Sequence, residues 1–327
     1  MTSDTPPHRQ SIAHAVGVDV GGTKTRIVWA PIVGGSGADL AGDVTVATAT
    51  WRAPLGDVEA DAAGIAALLH EHIGVDLAAS AVALGAHGCE NTAQCHALEA
   101  VLHRHLGGPV SVVNDSELIA PAMGAANAVG VVVGTGSIAT ARDEHGDLVT
   151  SGGWGWILGD EGSAPALVRD AVRAVLASLD DGGLLDALGR RLFSAFGVTD
   201  GDALALAATQ ATSPDDWGRH APDVFAAADD GSVLADAVIR GAGEHLAVAV
   251  DRLVRRGIRA GTVVAGGSVI ENQPRLQSAF SDALGRIRPG LTFTVLDRPP
   301  VLGALTLARA LVATDHDHPT QNGVSRT

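Results

Sequence analysis

Two glycine-rich segments, each placed directly after a short apolar run, constrain this chain more than any other feature. The first run, residues 15–20, contains Asp19 and leads into Gly21, Gly22, Thr23, Lys24 and Thr25. The second, residues 130–133, leads into Gly134, Thr135, Gly136 and Ser137. Glycine permits positive φ and lets backbone N–H groups approach phosphate oxygens, and Thr and Ser hydroxyls add donors. A single such segment is more often a plain hairpin, but the pair predicts two phosphate-binding turns.

An Asn-Asp pair lies between the two glycine-rich segments and closes a third apolar run. Asn114 and Asp115 follow the run that begins at Val110. Phosphoryl transfer needs charge neutralisation by Mg²⁺ and a base for the acceptor hydroxyl, and a carboxylate at a strand end suits the second task. The alternative is that Asp115 caps a helix beginning at Ser116. With both glycine segments present, we interpret Asp115 as the general base.

The order of these motifs resembles that of the superfamily of acetate and sugar kinases, heat-shock chaperones and actin. Asp19 with the segment after it is similar to the first phosphate motif of that superfamily, and residues 134–137 are similar to the second. A later strand-like run ending in Ala265, Gly266 and Gly267 resembles its adenosine motif. The resemblance implies an α/β protein with two ribonuclease-H-like (actin-like ATPase) domains and a nucleotide and sugar cleft between them.

A longer motif narrows the resemblance. Residues 152–164, which read GGWGWILGDEGSA, look like the signature of N-acetylglucosamine kinases within the BadF/BadG/BcrA/BcrD ATPase family. The plainer interpretation, which is compatible with the first, is a hairpin followed by a helix capped by Asp160 or Ser163. The resemblance implies an ATP-dependent amino-sugar kinase that phosphorylates a hydroxyl, expected to be the 6-OH, of N-acetylglucosamine, glucosamine or a close relative.

The same resemblance implies a role for individual residues. Asp19 would hold Mg²⁺ and Asp115 would be the catalytic base. The two glycine-rich segments and the adenosine motif would bind ATP through Gly21, Gly22, Thr23, Lys24, Thr25, Gly134, Thr135, Gly136, Ser137, Ala265, Gly266 and Gly267. The sugar would be contacted by Asn114, Asp115, Gly153, Trp154, Gly155 and Asp160.

The chain departs from the family pattern at two places where sugar selectivity is usually set. A segment containing Trp51 and Arg52 replaces a loop that carries a sugar-binding asparagine, and Ala86-His87-Gly88 replaces a plain Ala-Gly. Arg52 could pair with an acidic group of the substrate or could be an exposed loop cation. Glucosamine, N-acetylglucosamine, N-acetylmuramic acid and a plain hexose therefore all stay open as acceptors.

Composition excludes several other classes of function. The 327 residues carry a formal net charge of −15, which disfavours a nucleic-acid surface, and no apolar run is long enough to span a membrane. Residues 1–10 are polar and contain no apolar segment suited to a signal peptide, so we expect a cytoplasmic protein, consistent with a need for ATP. The resemblance implies a homodimer. Cys89 and Cys95 lie near several histidines, but their spacing favours ordinary buried thiols over a zinc site.

The pattern of apolar runs predicts an internal duplication. Strands near 15–20, 25–30 and 43–51 precede a helix, a strand near 80–85, a second helix and a strand at 110–113, and the second half repeats this order. We expect an N-terminal domain at 13–117, onto which a final helix at 301–313 packs, and a C-terminal domain at 118–300. Residues 1–12 and 314–327 are expected to be disordered tails.

Two other functions share this type of core. An activator ATPase of a 2-hydroxyacyl-CoA dehydratase type enzyme would hold an iron–sulfur cluster on cysteines, and here both cysteines precede Asn114 instead of lying in the second half. A sugar sensor or repressor would carry a DNA-binding helix pair, for which the residues before the first strand are too few. Both are less consistent with the sequence than a sugar kinase.

Overall fold

The computed structural model describes residues 12–32, 39–52, 57–125 and 127–316. The chain divides into two compact units, Met1–Gly124 with Arg298–Thr327, and Ala125–Asp297. Residues 1–11 and 317–327 of the predicted tails lie outside the described residues, whereas residues 314–316 form the end of the last helix, which extends past its predicted end.

The first unit contains a five-stranded sheet with the order β3-β2-β1-β4-β5. Strand β1 pairs antiparallel with β2 and parallel with β4. The strands are β1 (His14–Val20), β2 (Lys24–Pro31), β3 (Gly42–Ala47), β4 (Ser80–Ala86) and β5 (Val110–Asn114). The helices are α1 (Val58–His72), α2 (Thr92–Leu106), the single turn α3 (Ile119–Ala122) and α12 (Val301–His316).

Helices cover both faces of this sheet, because strand side chains alternate between the faces. Val16 and Val18 of β1 pack with α1 and α2, whereas Ala15 packs with α12. A Cβ at Gly17 would lie 2.4 Å from the backbone nitrogen of Leu305, so the missing side chain lets α12 lie directly on β1. The unit extends to Gly124, beyond the expected boundary at residue 117, because Leu118 packs against α12.

The second unit repeats the topology of the first. Its sheet has the order β10-β9-β6-β7-β8, which read from β8 is the same arrangement of an antiparallel meander followed by two parallel strands. Its strands are β6 (Ala128–Val133), β7 (Ser137–Arg142), β8 (Leu148–Gly152), β9 (Thr262–Gly266) and β10 (Thr292–Val295). Its helices are α4 (Ala164–Asp180), α5 (Ala187–Phe196), α6 (Gly201–Gln210), α7 (Pro214–Gly218), α8 (Ala221–Asp229), α9 (Val233–Arg255), α10 (Ser268–Asn272) and α11 (Pro274–Ile287).

The predicted two-domain α/β fold is therefore confirmed, with three local corrections. The strand predicted to reach residue 51 ends at Ala47, because Thr48 bonds back to the β1–β2 turn and begins a 3-10 turn at Thr48–Thr50. The helix predicted from Ser116 begins instead as a 3-10 turn, Asp115–Leu118, and the short helix α10 was not predicted. Among the described helices, none is long and apolar enough to cross a bilayer.

Candidate active site

The first glycine-rich segment forms the tight turn between β1 and β2. The N–H of Gly21 donates to the carbonyl of Lys24 (2.9 Å), and the N–H of Thr48 donates to the carbonyl of Thr23 (2.9 Å). Gly22, Thr23 and Lys24 are exposed, as a phosphate-binding turn requires.

Thr25 differs from the rest of this segment because its side chain points inward. It is fully buried, its hydroxyl lies 3.0 Å from that of Thr48, and it accepts a hydrogen bond from Nε1 of Trp51 (3.1 Å). We therefore replace the predicted role of Thr25 in nucleotide binding with a proposed structural role. Its buried hydroxyl would hold the turn in place from inside the domain.

Asp19 lies in β1, opposite Arg26 of β2. Burial, followed by the negative charge of Asp115, raises the pKa of Asp19 to about 7, and Arg26 opposes this shift. Arg26 is itself paired with Asp43, through Nε to Oδ1 (2.9 Å) and Nη2 to Oδ2 (2.6 Å). Arg26 is therefore bonded to Asp43 and not to Asp19. The carboxylate oxygens of Asp19 are ligands of the kind that Mg²⁺ prefers.

Asn114, at the end of β5, caps the 3-10 turn that carries Asp115. Its Oδ1 accepts from the N–H (3.0 Å) and the hydroxyl of Ser116, and its Nδ2 donates to the carbonyl of Cys89 (2.9 Å). Glu117 completes the capping box by accepting from the N–H of Asn114 (2.9 Å). Only 4% of Asn114 is exposed, so we replace its predicted sugar contact with a proposed structural role.

Asp115 is left with an accessible carboxylate. The alternative role as helix cap belongs to Asn114. Oδ1 of Asp115 accepts from the N–H of Ser116 (3.0 Å), and its side chain is 33% exposed. Because β1, β4 and β5 are parallel, Asp115 and the glycine turn lie at the same edge of the first sheet.

His87 is a further residue of this site that the motifs do not indicate, although its departure from the Ala-Gly pattern is a signal. His87 follows β4, and its Nδ1 lies 3.7 Å from Oδ2 of Asp115. The neighbouring carboxylate of Asp115 raises the pKa of His87 above its usual value, and burial opposes the rise. The structure thus places the imidazole of His87 beside Asp115, the predicted base.

Arg52 is neither an exposed cation nor a candidate ligand for a substrate acid. Its side chain is 7% exposed and forms a two-pronged pair with Asp61 of α1, through Nε (3.0 Å to Oδ1) and Nη2 (2.5 Å to Oδ2). Its Nη1 donates to the carbonyl of His87 (2.9 Å). Both interpretations of Arg52 drawn from the sequence are wrong, because the partner is inside the domain.

We expect Arg52→Met to lower the free energy of unfolding by about 3–5 kcal/mol, because it leaves the carboxylate of Asp61 buried without a partner. The double variant Arg52→Met, Asp61→Leu should recover much of this loss, since it removes both charges. Urea denaturation of the two variants and the wild type measures the difference. Equal stability of the single variant and the wild type would show that the pair does not contribute.

The second glycine-rich segment, in the second unit, forms the turn between β6 and β7. The N–H of Gly134 donates to the carbonyl of Gly136 (2.9 Å), and the carbonyl of Gly134 accepts from Ala164 at the start of α4 (2.9 Å). Thr135 is exposed, whereas Ser137 is buried and its hydroxyl donates to the carbonyl of Glu161 (2.9 Å). The turn therefore presents Thr135, while Ser137 ties it to the segment before α4.

Asp160 joins this turn to the predicted sugar-binding motif. It is 6% exposed and has a positive φ of 54°, which is uncommon outside glycine. Its Oδ1 accepts from the N–H of Gly155 (3.2 Å), and its Oδ2 lies 3.1 Å from the position of a Cβ built on Gly136. Burial raises the pKa of Asp160. Gly153, Trp154 and Gly155, in contrast, are exposed.

The predicted adenosine motif lies beside the second turn. Ala265 and Gly266 end β9, which pairs with β6, and a Cβ at Gly134 would lie 3.4 Å from the hydroxyl of Ser268. Gly267 has φ of +110°, and a Cβ there would lie 2.6 Å from the carbonyl of Val133, so only glycine fits. The second unit thus collects its predicted nucleotide-binding segments at the carboxyl ends of β6 and β9, where α/β sheets commonly bind ligands.

Within the described ranges, no group of three or more His, Cys, Asp and Glu side chains could hold a metal ion by itself. Cys89 and Cys95 are both buried, and neither forms a disulfide. The thiol of Cys95 lies 4.0 Å from the carbonyl of Cys89.

The duplicated sheets, each with a glycine turn, define an α/β protein built from two units of the same topology. Residues 16–286 match the model of the BadF/BadG/BcrA/BcrD ATPase family. The chain belongs to this family.

Individual proteins are similar to this chain in sequence or in structure. The chain is 42% identical over 108 residues to an N-acetylmuramic acid/N-acetylglucosamine kinase from Clostridium acetobutylicum, a match that spans 32% of this chain and 35% of that protein. The structure is similar to a provisionally named N-acetylglucosamine kinase from Chromobacterium violaceum, with 24% identity, a TM-score of 0.62 and coverage of 91% of this chain and 99% of that one. It is also similar to a ROK family glucokinase from Streptomyces griseus solved with glucose and AMPPNP, with 19% identity, a TM-score of 0.54 and coverage of 92% and 99%.

Proposed function

We propose that this protein is an ATP-dependent amino-sugar kinase that transfers the γ-phosphate to a hydroxyl, expected to be the 6-OH, of N-acetylglucosamine, glucosamine or a close relative. The observation that carries the proposal is Asp115, which presents an accessible carboxylate on a 3-10 turn that a capping box fixes at the carboxyl end of β5, at the same sheet edge as the first glycine turn. The family supports the use of ATP, and the names of the relatives support a sugar as acceptor.

The chemical step assigns a separate task to each group of residues. The carboxylate of Asp115 accepts the proton of the sugar hydroxyl while the new bond from the sugar oxygen to the γ-phosphorus forms. The bond from the γ-phosphorus to the bridging oxygen breaks, and ADP leaves with that oxygen. Each unit has a turn with exposed residues, Gly22–Lys24 in the first and Thr135 in the second, and exposed backbone N–H groups of such turns bind phosphate oxygens.

Mg²⁺ would be held by Asp19, the candidate that best fits a hard cation. It is a poorly hydrated carboxyl whose pKa is raised to about 7, and cation binding would favour its ionised form. A bound Mg²⁺ supplies charge neutralisation on the phosphates. The expected homodimer and cytoplasmic location stay predictions.

For the sugar, we propose that the exposed segment Gly153–Gly155 provides contacts and that Asp160 holds this segment in place. Trp154 is 75% exposed, which leaves its ring available to pack on a sugar face. Arg169 supports the same segment from behind, since its Nη1 donates to the carbonyls of Trp156 (2.5 Å) and Gly159 (3.2 Å).

A substrate panel tests the proposal. ADP release should be measured with MgATP and each of glucosamine, N-acetylglucosamine, N-acetylmuramic acid, N-acetylmannosamine and glucose. We expect release that depends on at least one amino sugar and saturates with it. ADP release that no sugar on the panel accelerates would contradict the proposal and would favour an activator ATPase or a sensor.

A further inference from the structure

His87 occupies a position between the proposed base and the first glycine turn. Its side chain is 46% exposed, and its Nδ1 lies 3.7 Å from Oδ2 of Asp115. On its other side, a Cβ built on Gly22 would lie 3.7 Å from ring atom Cδ2. The imidazole therefore lies beside the turn with one edge and faces the carboxylate with the other.

The backbone of His87 is held on both sides. Its N–H donates to the carbonyl of Val20 at the end of β1 (2.8 Å), and its carbonyl accepts from Nη1 of Arg52 (2.9 Å). Arg52 is buried and doubly bonded to Asp61, so the guanidinium has little freedom. A buried ion pair is costly to desolvate. In this pair Nη1 of Arg52, which does not bond Asp61, fixes the peptide that carries the imidazole.

The two oxygens of Asp115 have different partners. Oδ1 accepts from the N–H of Ser116 (3.0 Å), whereas Oδ2 faces His87. One bond alone leaves the carboxylate free to rotate about that oxygen. Hydrogen bonds at catalytic groups are often long without substrate and shorten when it binds, so 3.7 Å is compatible with a contact in the working complex.

We propose that His87 is a positioning residue, whose Nδ1–H donates to Oδ2 of Asp115 and orients the carboxylate towards the sugar hydroxyl. This inference rests on the proposed function. The histidine keeps its proton throughout, and the proton of the sugar hydroxyl goes to a remaining lone pair of Asp115. Other charged groups that act on His87 are Glu90, which lies on the same segment, and the buried Arg52.

Three variants at this position test the inference, because they differ in where a side-chain donor lies. His87→Asn retains an amide nitrogen close to the place of Nδ1, His87→Gln places it close to Nε2, and His87→Leu has none. We expect a fall in kcat of roughly 10- to 100-fold for the Leu and Gln variants, with KM for ATP within about twofold. The Asn variant should stay within about threefold of the wild type.

Several results would overturn the inference. Equal activity of all three variants and the wild type would show that His87 does not orient the base, and an equal loss in all three would exclude a role through Nδ1. If the Leu variant does not fold, the Asn and Gln variants still decide the question. Wild-type protein that phosphorylates no sugar would instead refute the proposed function.

A measurement without substrate tests the pairing itself. NMR titration of His87 in Mg²⁺-free buffer should give a pKa above that of an ordinary histidine, and Asp115→Asn should lower it, because Asp115 is the largest cause of the rise. An unchanged His87 titration in that variant would show that the two side chains do not interact. This outcome does not depend on whether the protein is a kinase.

Discussion

Asp115→Asn should lower kcat for phosphate transfer by at least about 100-fold while leaving the Kd for ATP within about twofold. Asparagine has the shape of aspartate but cannot accept the proton of the acceptor hydroxyl, and general base catalysis contributes about 10²- to 10⁴-fold. The turn that carries residue 115 should persist, because its capping bonds come from Asn114 and Glu117.

Steady-state kinetics and calorimetric ATP binding on the same preparations measure the two effects. Glu90→Gln is a matched control: it removes a carboxylate from an exposed position near His87 and should keep the activity of the wild type. Loss of ATP binding in proportion to turnover would give Asp115 a structural role. Retention of turnover would remove it from the chemistry.

Asp19→Asn should stabilise the fold above pH 7 while it lowers turnover. The pKa of Asp19 is about 7 in the native protein, against an ordinary value of 3.8, so the native state holds this proton more tightly than the unfolded chain does. Between about pH 4 and pH 7, the unfolded state has released the proton and the native state has not. The free energy of unfolding therefore falls as pH rises through this window.

The size of this effect follows from the shift. Roughly three pKa units correspond to at most about 4 kcal/mol of destabilisation at pH 8, which asparagine avoids because it does not ionise. At pH 4 the two proteins should be nearly equal in stability. Loss of activity with gain of stability is the behaviour expected of a group retained for function.

Urea denaturation at pH 4 and pH 8 in the presence of EDTA measures the difference. Asp43→Asn is the control, because the pKa of Asp43 is shifted in the opposite direction: the hydrogen bonds from Arg26 lower it. Replacement of Asp43 should therefore give no gain in the free energy of unfolding at pH 8. If Asp19→Asn were no more stable than the wild type at pH 8, the carboxyl would be better solvated than the structure indicates. Added Mg²⁺ should stabilise the wild type more than the Asn variant.

The parts of the fold that the sequence predicted correctly depend on local signals. The glycine turns follow apolar runs directly, and the order of those runs repeats, so the duplicated sheets and the edges where the turns lie could be predicted. The expectation that Cys89 and Cys95 are ordinary buried cysteines agrees with their burial in the structure.

The parts that the sequence did not predict depend on contacts between distant residues. Nothing local shows that Arg52 pairs with Asp61 of α1 and holds the carbonyl of His87. A motif also does not show which of its side chains point inward, so Thr25 was grouped with its exposed neighbours although its hydroxyl bonds Thr48 and Trp51. Tertiary contacts decide such positions.

The most direct test of the account is to identify the phosphorylated product by ³¹P NMR and mass spectrometry after incubation with MgATP and the sugar that stimulates ADP release. We expect a sugar monophosphate in a one-to-one ratio with ADP, and none with Asp115→Asn. ADP accompanied only by free phosphate would contradict it, because the protein would then hydrolyse ATP without transferring phosphate to a sugar.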